Sequence, residues 1–279
     1  MSVLREPLRL STASGTGAIF DHGSHVVSWR PAGQSEVLWM SGTSTFDSGT
    51  AIRGGIPICF PWFGSGRDST LIPAHGFARL TSWTLVDVVE RDGAVTATHS
   101  LLDTRLTQNA FPHRFMAVHT ARFGEHLDVH LSVENLGDSE FSYEAALHTY
   151  LRVGDSRQIS VHGLDGVDYI DKVDGASLKT QEGDLTVAAE TDRIYRTGSG
   201  VDVIDPVLGR TVHVRMSHSA DTVVWNPWIT RATALADFDD DGWQSMVCIE
   251  GANVLENAIS LAPGEIHSMG YQLSVGALA

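Results

Sequence analysis

A chain of 279 residues with 34 Asp and Glu against 19 Lys and Arg has a net charge of −15, and the absence of a basic stripe excludes a nucleic-acid backbone as its partner. Its 42% hydrophobic and 19% charged residues are those of a folded protein able to bury a sizeable core, and no apolar run reaches the roughly 18 residues that a bilayer crossing takes. Cys59 and Cys248, each inside an apolar run, suit reduced buried thiols, and the N-terminal M-S-V-L-R-E-P lacks a secretory apolar segment, so the expected location is the cytoplasm.

In chain order, residues 17–20, 26–29 and 37–40 read as short strands separated by D-H-G-S and P-A-G-Q turn clusters, the rhythm of an antiparallel meander. R-G-G-I-P-I-C-F-P-W-F-G follows from Arg53, and after a polar loop comes H-G-F-A-R, ending at Arg79. The Gly54-Gly55 pair can take positive φ and let backbone approach closely. Two arginines, with His75 and the walls of Trp62, Phe63 and Phe77 beside them, suit a ligand with an anionic end and a sugar-like ring. The competing expectation is that both arginines sit in salt bridges that hold a large loop.

Residues 82–90, 95–102 and 115–123 read as further strands, and Leu127, Val129, Leu131 and Val133 alternate with polar residues as in a half-buried strand that ends at Asn135-Leu136-Gly137. His126, Asp128 and His130 then share a face, as metal ligands or, more plainly, as solvated side chains. Between 141 and 153, Phe141, Tyr143, Ala145 and Leu147 point one way, and Glu144, Ala146, His148 and Tyr150 the other. His148 thus leaves the apolar face, for solvent, a structural partner or a cleft. Residues 161–187 are polar and suggest rim hairpins, and 191–195 reads as a strand. Strands at 201–205 and 211–216 flank a turn set by Pro206 and Gly209, where Asp205 can cap the turn or reach a ligand.

Residues 222–228 and 245–250 are the remaining apolar runs. Glu250 ends the second one, where a carboxylate is costly to bury unless it is paired or chemically used. The acidic run 237–241 lacks the ligand spacing of a calcium loop and reads as exposed, so no metal is expected. With no internal repeat, linker or long amphipathic helix, residues 1–279 are expected to form a single all-β domain.

Taken together, R-G-G-I-P at Arg53, H-G-F-A-R at Arg79, L-H-T-Y at His148, T-D-R-I-Y from Thr191, I-D-P at Asp205, V-V-W-N-P-W ending at Trp228 and M-V-C-I-E ending at Glu250 make the chain resemble the aldose 1-epimerase superfamily, in its glucose-6-phosphate 1-epimerase branch. The resemblance implies a galactose-mutarotase-like β-supersandwich of antiparallel strands. It also implies His148 as catalytic acid, Glu250 as catalytic base, and Arg53, Arg79, Asp205 and His75 as substrate-binding residues. Two positions depart from the family pattern: Ala74, where the family commonly has Gln, and G-A-N-V after Glu250 in place of P-G-x-V.

The implied chemistry interconverts the α and β anomers of a hexose 6-phosphate by opening and reclosing the ring. A carboxylate takes the C1 hydroxyl proton and an imidazolium gives one to the ring oxygen, so no cofactor is called for. The two arginines would hold the C6 phosphate and position the ring. The expected partner is a small sugar phosphate, with no nucleic acid and no membrane, and the chain is expected to be a monomer. An epimerase for neutral sugars and a non-catalytic carbohydrate-binding module are the alternatives; the first needs no phosphate-binding arginines, and the second needs neither acid nor base.

Overall fold

The computed structural model describes Leu4 and residues 6–278, in which strands dominate and the two α-helices, Arg105–Ala110 and Trp228–Thr233, have six residues each. No described helix is long and apolar enough to cross a membrane. One large sheet runs, in spatial order, Leu185–Thr186, Ser160–His162, Val201–Asp205, Arg210–Ser217, Ile266–Ala277, Leu127–Asn135, Phe115–Phe123, Ala94–Leu102 and Thr84–Arg91. The other runs Ser177–Thr180, Asp168–Asp171, Thr191–Tyr195, Asp221–Asn226, Met246–Asn253, Ala145–Leu147 and Ile58–Cys59, with Tyr150–Arg152 also paired to Met246–Asn253. Every ladder in both is antiparallel.

Alternation explains how the sheets meet. Leu127, Val129, Leu131 and Val133 are buried and share one core with Leu147, Val247 and Ile249 of the second sheet. Between them, Asp128 turns outward and accepts from Arg122 and Gln272, so the face of His126, Asp128 and His130 is the solvated one. Ile19, Val26 and Trp29 bring a three-stranded sheet, Leu8–Thr12, Gly15–Phe20 and His25–Pro31, onto the same core. Met246–Asn253 is buried on both faces, so it reads as a continuous apolar run.

Several expected elements shift. Residues 37–40 form only single bridges, Leu38 with Leu151 and Met40 with Gly54, and 141–153 breaks into Phe141–Tyr143, Ala145–Leu147 and Tyr150–Arg152. Ile266–Ala277, near the centre of the larger sheet, has no counterpart among the expected strands, although Met269, Tyr271 and Leu273 alternate as buried residues. Gly270 masks it, because a Cβ there would come within 2.5 Å of Ser217 Oγ and 2.9 Å of the His130 ring, and glycine in such a place looks like a turn.

Candidate active site

Register builds the site. Met246–Asn253 pairs with Asp221–Asn226 so that Glu250 faces Val223 and Cys248 faces Trp225, and the next ladder sets Ile194 beside Val223 and Asp192 beside Trp225. On the other side of the same strand, Leu147 pairs with Gly251 and Tyr150 with Cys248. The register is unchanged across the break between these pairs, so His148 stands opposite Glu250. The outer face of this sheet is the floor of a cleft of about 610 Å³.

On that floor His148 Nε2 lies 3.3 Å from Glu250 Oε1, with the two side chains 9% and 1% exposed. The imidazole is stacked on Tyr150 with centroids 4.9 Å apart and meets His75 and Trp225 edge-on. Burial pushes the His148 pKa well below its usual range, helped by His75, Arg79 and Arg53. Burial likewise pushes Glu250 well above the carboxylate range, with Asp192 adding to this and Lys172 and Arg79 opposing it. Both directions favour a neutral imidazole beside a carboxylic acid, whereas the chemistry expected from sequence begins with an imidazolium beside a carboxylate. The two descriptions hold the same single proton and differ in which residue carries it.

Arg53 borders the cleft and is also the salt bridge of the competing expectation. Its Nε and one terminal nitrogen donate to the two oxygens of Asp237 at 3.1 Å each, and the other terminal nitrogen donates to Tyr150 Oη at 3.0 Å. Burial works against its charge, but Tyr150 and Asp237 outweigh that and raise its pKa. Two of its five N–H donors remain for a ligand. Gly54 and Gly55 have φ of 113° and 62°, and the backbone they approach is that of Trp39 and Val26: a Cβ would meet those carbonyl oxygens at 2.4 and 2.2 Å. Arg79 is less occupied. It donates to the Ala74 carbonyl at 2.9 Å, and its buried Nε has no hydrogen-bond partner among the described residues.

His75 also borders the cleft, held at φ 63°. Its Nδ1 accepts from the Gly64 N–H at 3.3 Å, which leaves the ring proton on Nε2. Burial and then the charges of Arg79, Lys172 and Arg53 keep the ring neutral, well below the usual pKa. Exposed Lys172 completes this side, with Nζ 3.0 Å from Asp192 and over the Phe63 ring at 5.6 Å.

Asp205 does not belong to this constellation. It is wholly buried at the end of its strand in the larger sheet and accepts the N–H groups of Gly154, Val207 and Leu208 at 2.9, 3.1 and 3.0 Å. Three donors explain why a carboxylate is tolerated there: it caps the turn over Pro206. The aspartate in the cleft is Asp192, whose motif the sequence offers but whose face only the strand register reveals. Asp237, taken as part of an exposed acidic loop, instead grips Arg53 across 184 residues of chain, and no spacing rule announces that pairing.

With this geometry in view, the aldose 1-epimerase family model matches residues 8–274. The chain belongs to the aldose 1-epimerase family. A protein of Escherichia coli K12, named provisionally as a glucose-6-phosphate 1-epimerase, is 39% identical over 236 residues, covering 84% of this chain and 78% of its own. A crystal structure from Salmonella typhimurium, described provisionally as a mutarotase, has a TM-score of 0.90 at 31% identity over 96% of this chain and 90% of the other. A galactose mutarotase related enzyme from Lactobacillus acidophilus, 16% identical with a TM-score of 0.76 over 98% of each chain, shares the fold. The antiparallel galactose-mutarotase-like architecture is therefore the one expected from sequence. In this aldose 1-epimerase family member, Ala74 borders the cleft and Gly251 continues the Glu250 strand without interruption.

Proposed function

We propose that this chain interconverts the α and β anomers of hexose 6-phosphates, glucose 6-phosphate foremost, with His148 as acid and Glu250 as base. The observation that carries this reading is the buried pair, 3.3 Å apart, on the floor of a cleft bordered by Arg53, Arg67, Arg79, Lys172 and Arg231. Glu250 takes the C1 hydroxyl proton while His148 gives one to the ring oxygen. The ring opens, rotation about C1–C2 exchanges the faces, and the transfers reverse on closure. Opening turns an imidazolium and a carboxylate into a neutral imidazole and a carboxylic acid, which is the direction that burial of the pair favours.

The two arginines divide their work. Arg53 is already neutralised by Asp237, so its two remaining donors suit ring hydroxyls, and Arg79, with an unpartnered Nε, suits the phosphate. Neutral His75 presents Nε2–H as a further donor to the sugar. The phosphate does not react; its contacts position C1 over the pair.

The test is to follow anomerisation of freshly dissolved α-glucose 6-phosphate and α-glucose by polarimetry. A clear preference for the phosphosugar is expected. Equal kcat/KM on both would overturn the phosphate assignment, and no acceleration of either would overturn the reaction.

A further inference from the structure

The proton exchange uses two of three chemically capable groups gathered at one point. A ring nitrogen of His148, the sulfur of Cys248 and a carboxylate oxygen of Glu250 all lie within 4.8 Å of one another. Cys248 precedes Glu250 by two residues on the same strand and face, paired with Tyr150 on one side and Trp225 on the other, and it is wholly buried. Bonding capacity is left over here. The Oε2 atom of Glu250, a residue 1% exposed, has no hydrogen-bond partner among the described residues.

We propose that His148, Cys248 and Glu250 form a site for one thiophilic divalent cation of the Zn²⁺ or Cd²⁺ kind, and that filling it blocks the acid-base pair. Imidazole, thiolate and carboxylate form a donor set that suits such ions. Metal–ligand bonds of roughly 2.0–2.3 Å in a tetrahedron put ligand atoms about 3.3–3.8 Å apart, so binding asks separations of at most 4.8 Å to shorten to that range. Cys248 lies beneath the cleft floor among Trp39, Tyr150 and Met246, whereas His148 and Glu250 border the cleft, so an ion held by all three would sit at the floor on which the sugar ring would lie. Charge also balances: a thiolate and a carboxylate cancel the two positive charges of the ion, and the buried site becomes neutral. Binding forms the sulfur–metal bond as the thiol proton leaves to solvent, and the single proton held by His148 and Glu250 leaves with it. The second thiol lacks this setting. Cys59 Sγ is 3.3 Å from His75 Nδ1, but among the described residues no third ligand joins that pair.

Cd²⁺ is the probe, because thiolate ligation gives it an ultraviolet charge-transfer band. Titrating the full chain should produce that band with saturation at one ion per chain, and a chelator should abolish it. Cys59→Ala should leave the band unchanged. Cys248→Ala should lose it while keeping most of the turnover, and its inhibition by Cd²⁺ should weaken more than tenfold, at least the ~10-fold loss that removing even an outer-shell partner causes. Cys248→Ser, which conserves volume, serves the same purpose if the alanine variant does not fold. The inhibition arm rests on the epimerase reading, whereas the band is read without substrate, so the two can fail separately. No band at one equivalent, or a band that survives in the Cys248 variants, would overturn the site. Inhibition of equal strength in wild type and Cys248→Ala would overturn the block.

Discussion

Removing the imidazole at His148 or the ionisable oxygen at Glu250 takes away one partner of a coupled proton exchange, so His148→Ala and Glu250→Gln should each lower kcat by roughly 10²–10⁴-fold. Circular dichroism should show an unchanged fold, and near-normal turnover in either variant would remove that residue from the mechanism. Arg79→Ala asks a different question. If its guanidinium holds the phosphate, KM for glucose 6-phosphate should rise about 10–100-fold, the loss of a charge-assisted contact of roughly 1.5–3 kcal/mol, while activity on glucose barely changes. Equal losses on the two sugars would make Arg79 a support for its loop. At this scale the sequence reveals residue types and faces but not partners. Glu250 stands out because a carboxylate ending an apolar strand needs a reason, and His148 is singled out by the family resemblance, whereas Asp192 and Asp205 are both aspartates in or at the end of short strands. What separates them is three backbone donors around Asp205 and a lysine beside Asp192, and neither is visible without the fold.

The elements carrying these residues are held by a carboxylate that takes no part in the chemistry. Glu144, 6% exposed, accepts the N–H of Phe63 through one oxygen and the N–H of Leu255 through the other, at 2.9 and 2.7 Å, and so ties together two loops that border the cleft. Arg67 donates to the Leu255 carbonyl and strengthens the same junction. Glu144→Gln would set an amide NH₂ against one of the two donors, leaving a buried N–H unsatisfied at a cost of about 1–3 kcal/mol. Urea unfolding should register that loss, with KM rising as the loops loosen; an unchanged midpoint would show that the clamp is dispensable. The face of Glu144 is legible from the alternation in 141–153. Its partners are not, because they lie 81 and 111 residues away in loops that have no period to read. The break after Leu147 is equally hidden: the apolar alternation continues through it, while the His148 N–H turns away to the Pro57 carbonyl.

For the whole molecule, strand count and alternation predict an antiparallel β architecture, but they do not say how the N-terminal three-stranded sheet joins the larger one. That junction contains two wholly buried histidines. His119 bonds Ser24 Oγ through Nδ1 at 2.7 Å, and His25 bonds the Gly54 carbonyl at 2.7 Å. Burial lowers both pKa values from 6.5 to about 3, with His22 and Arg79 adding to the effect at His25, and His99, His25 and His130 at His119. Because the folded values lie below the unfolded ones, the unfolded chain binds more protons between these limits. The contribution to stability is complete above pH 6.5 and is lost as pH falls toward 3. At pH 5 each histidine should have removed about 2 kcal/mol. Urea midpoints measured between pH 8 and pH 5 should therefore fall steeply, with unchanged slope of free energy against urea. His119→Asn should be less stable at pH 8 but lose about 2 kcal/mol less than wild type over the same span. If the variant and the wild type lose stability in parallel, His119 does not carry this dependence, and the acid sensitivity belongs to groups elsewhere in the fold.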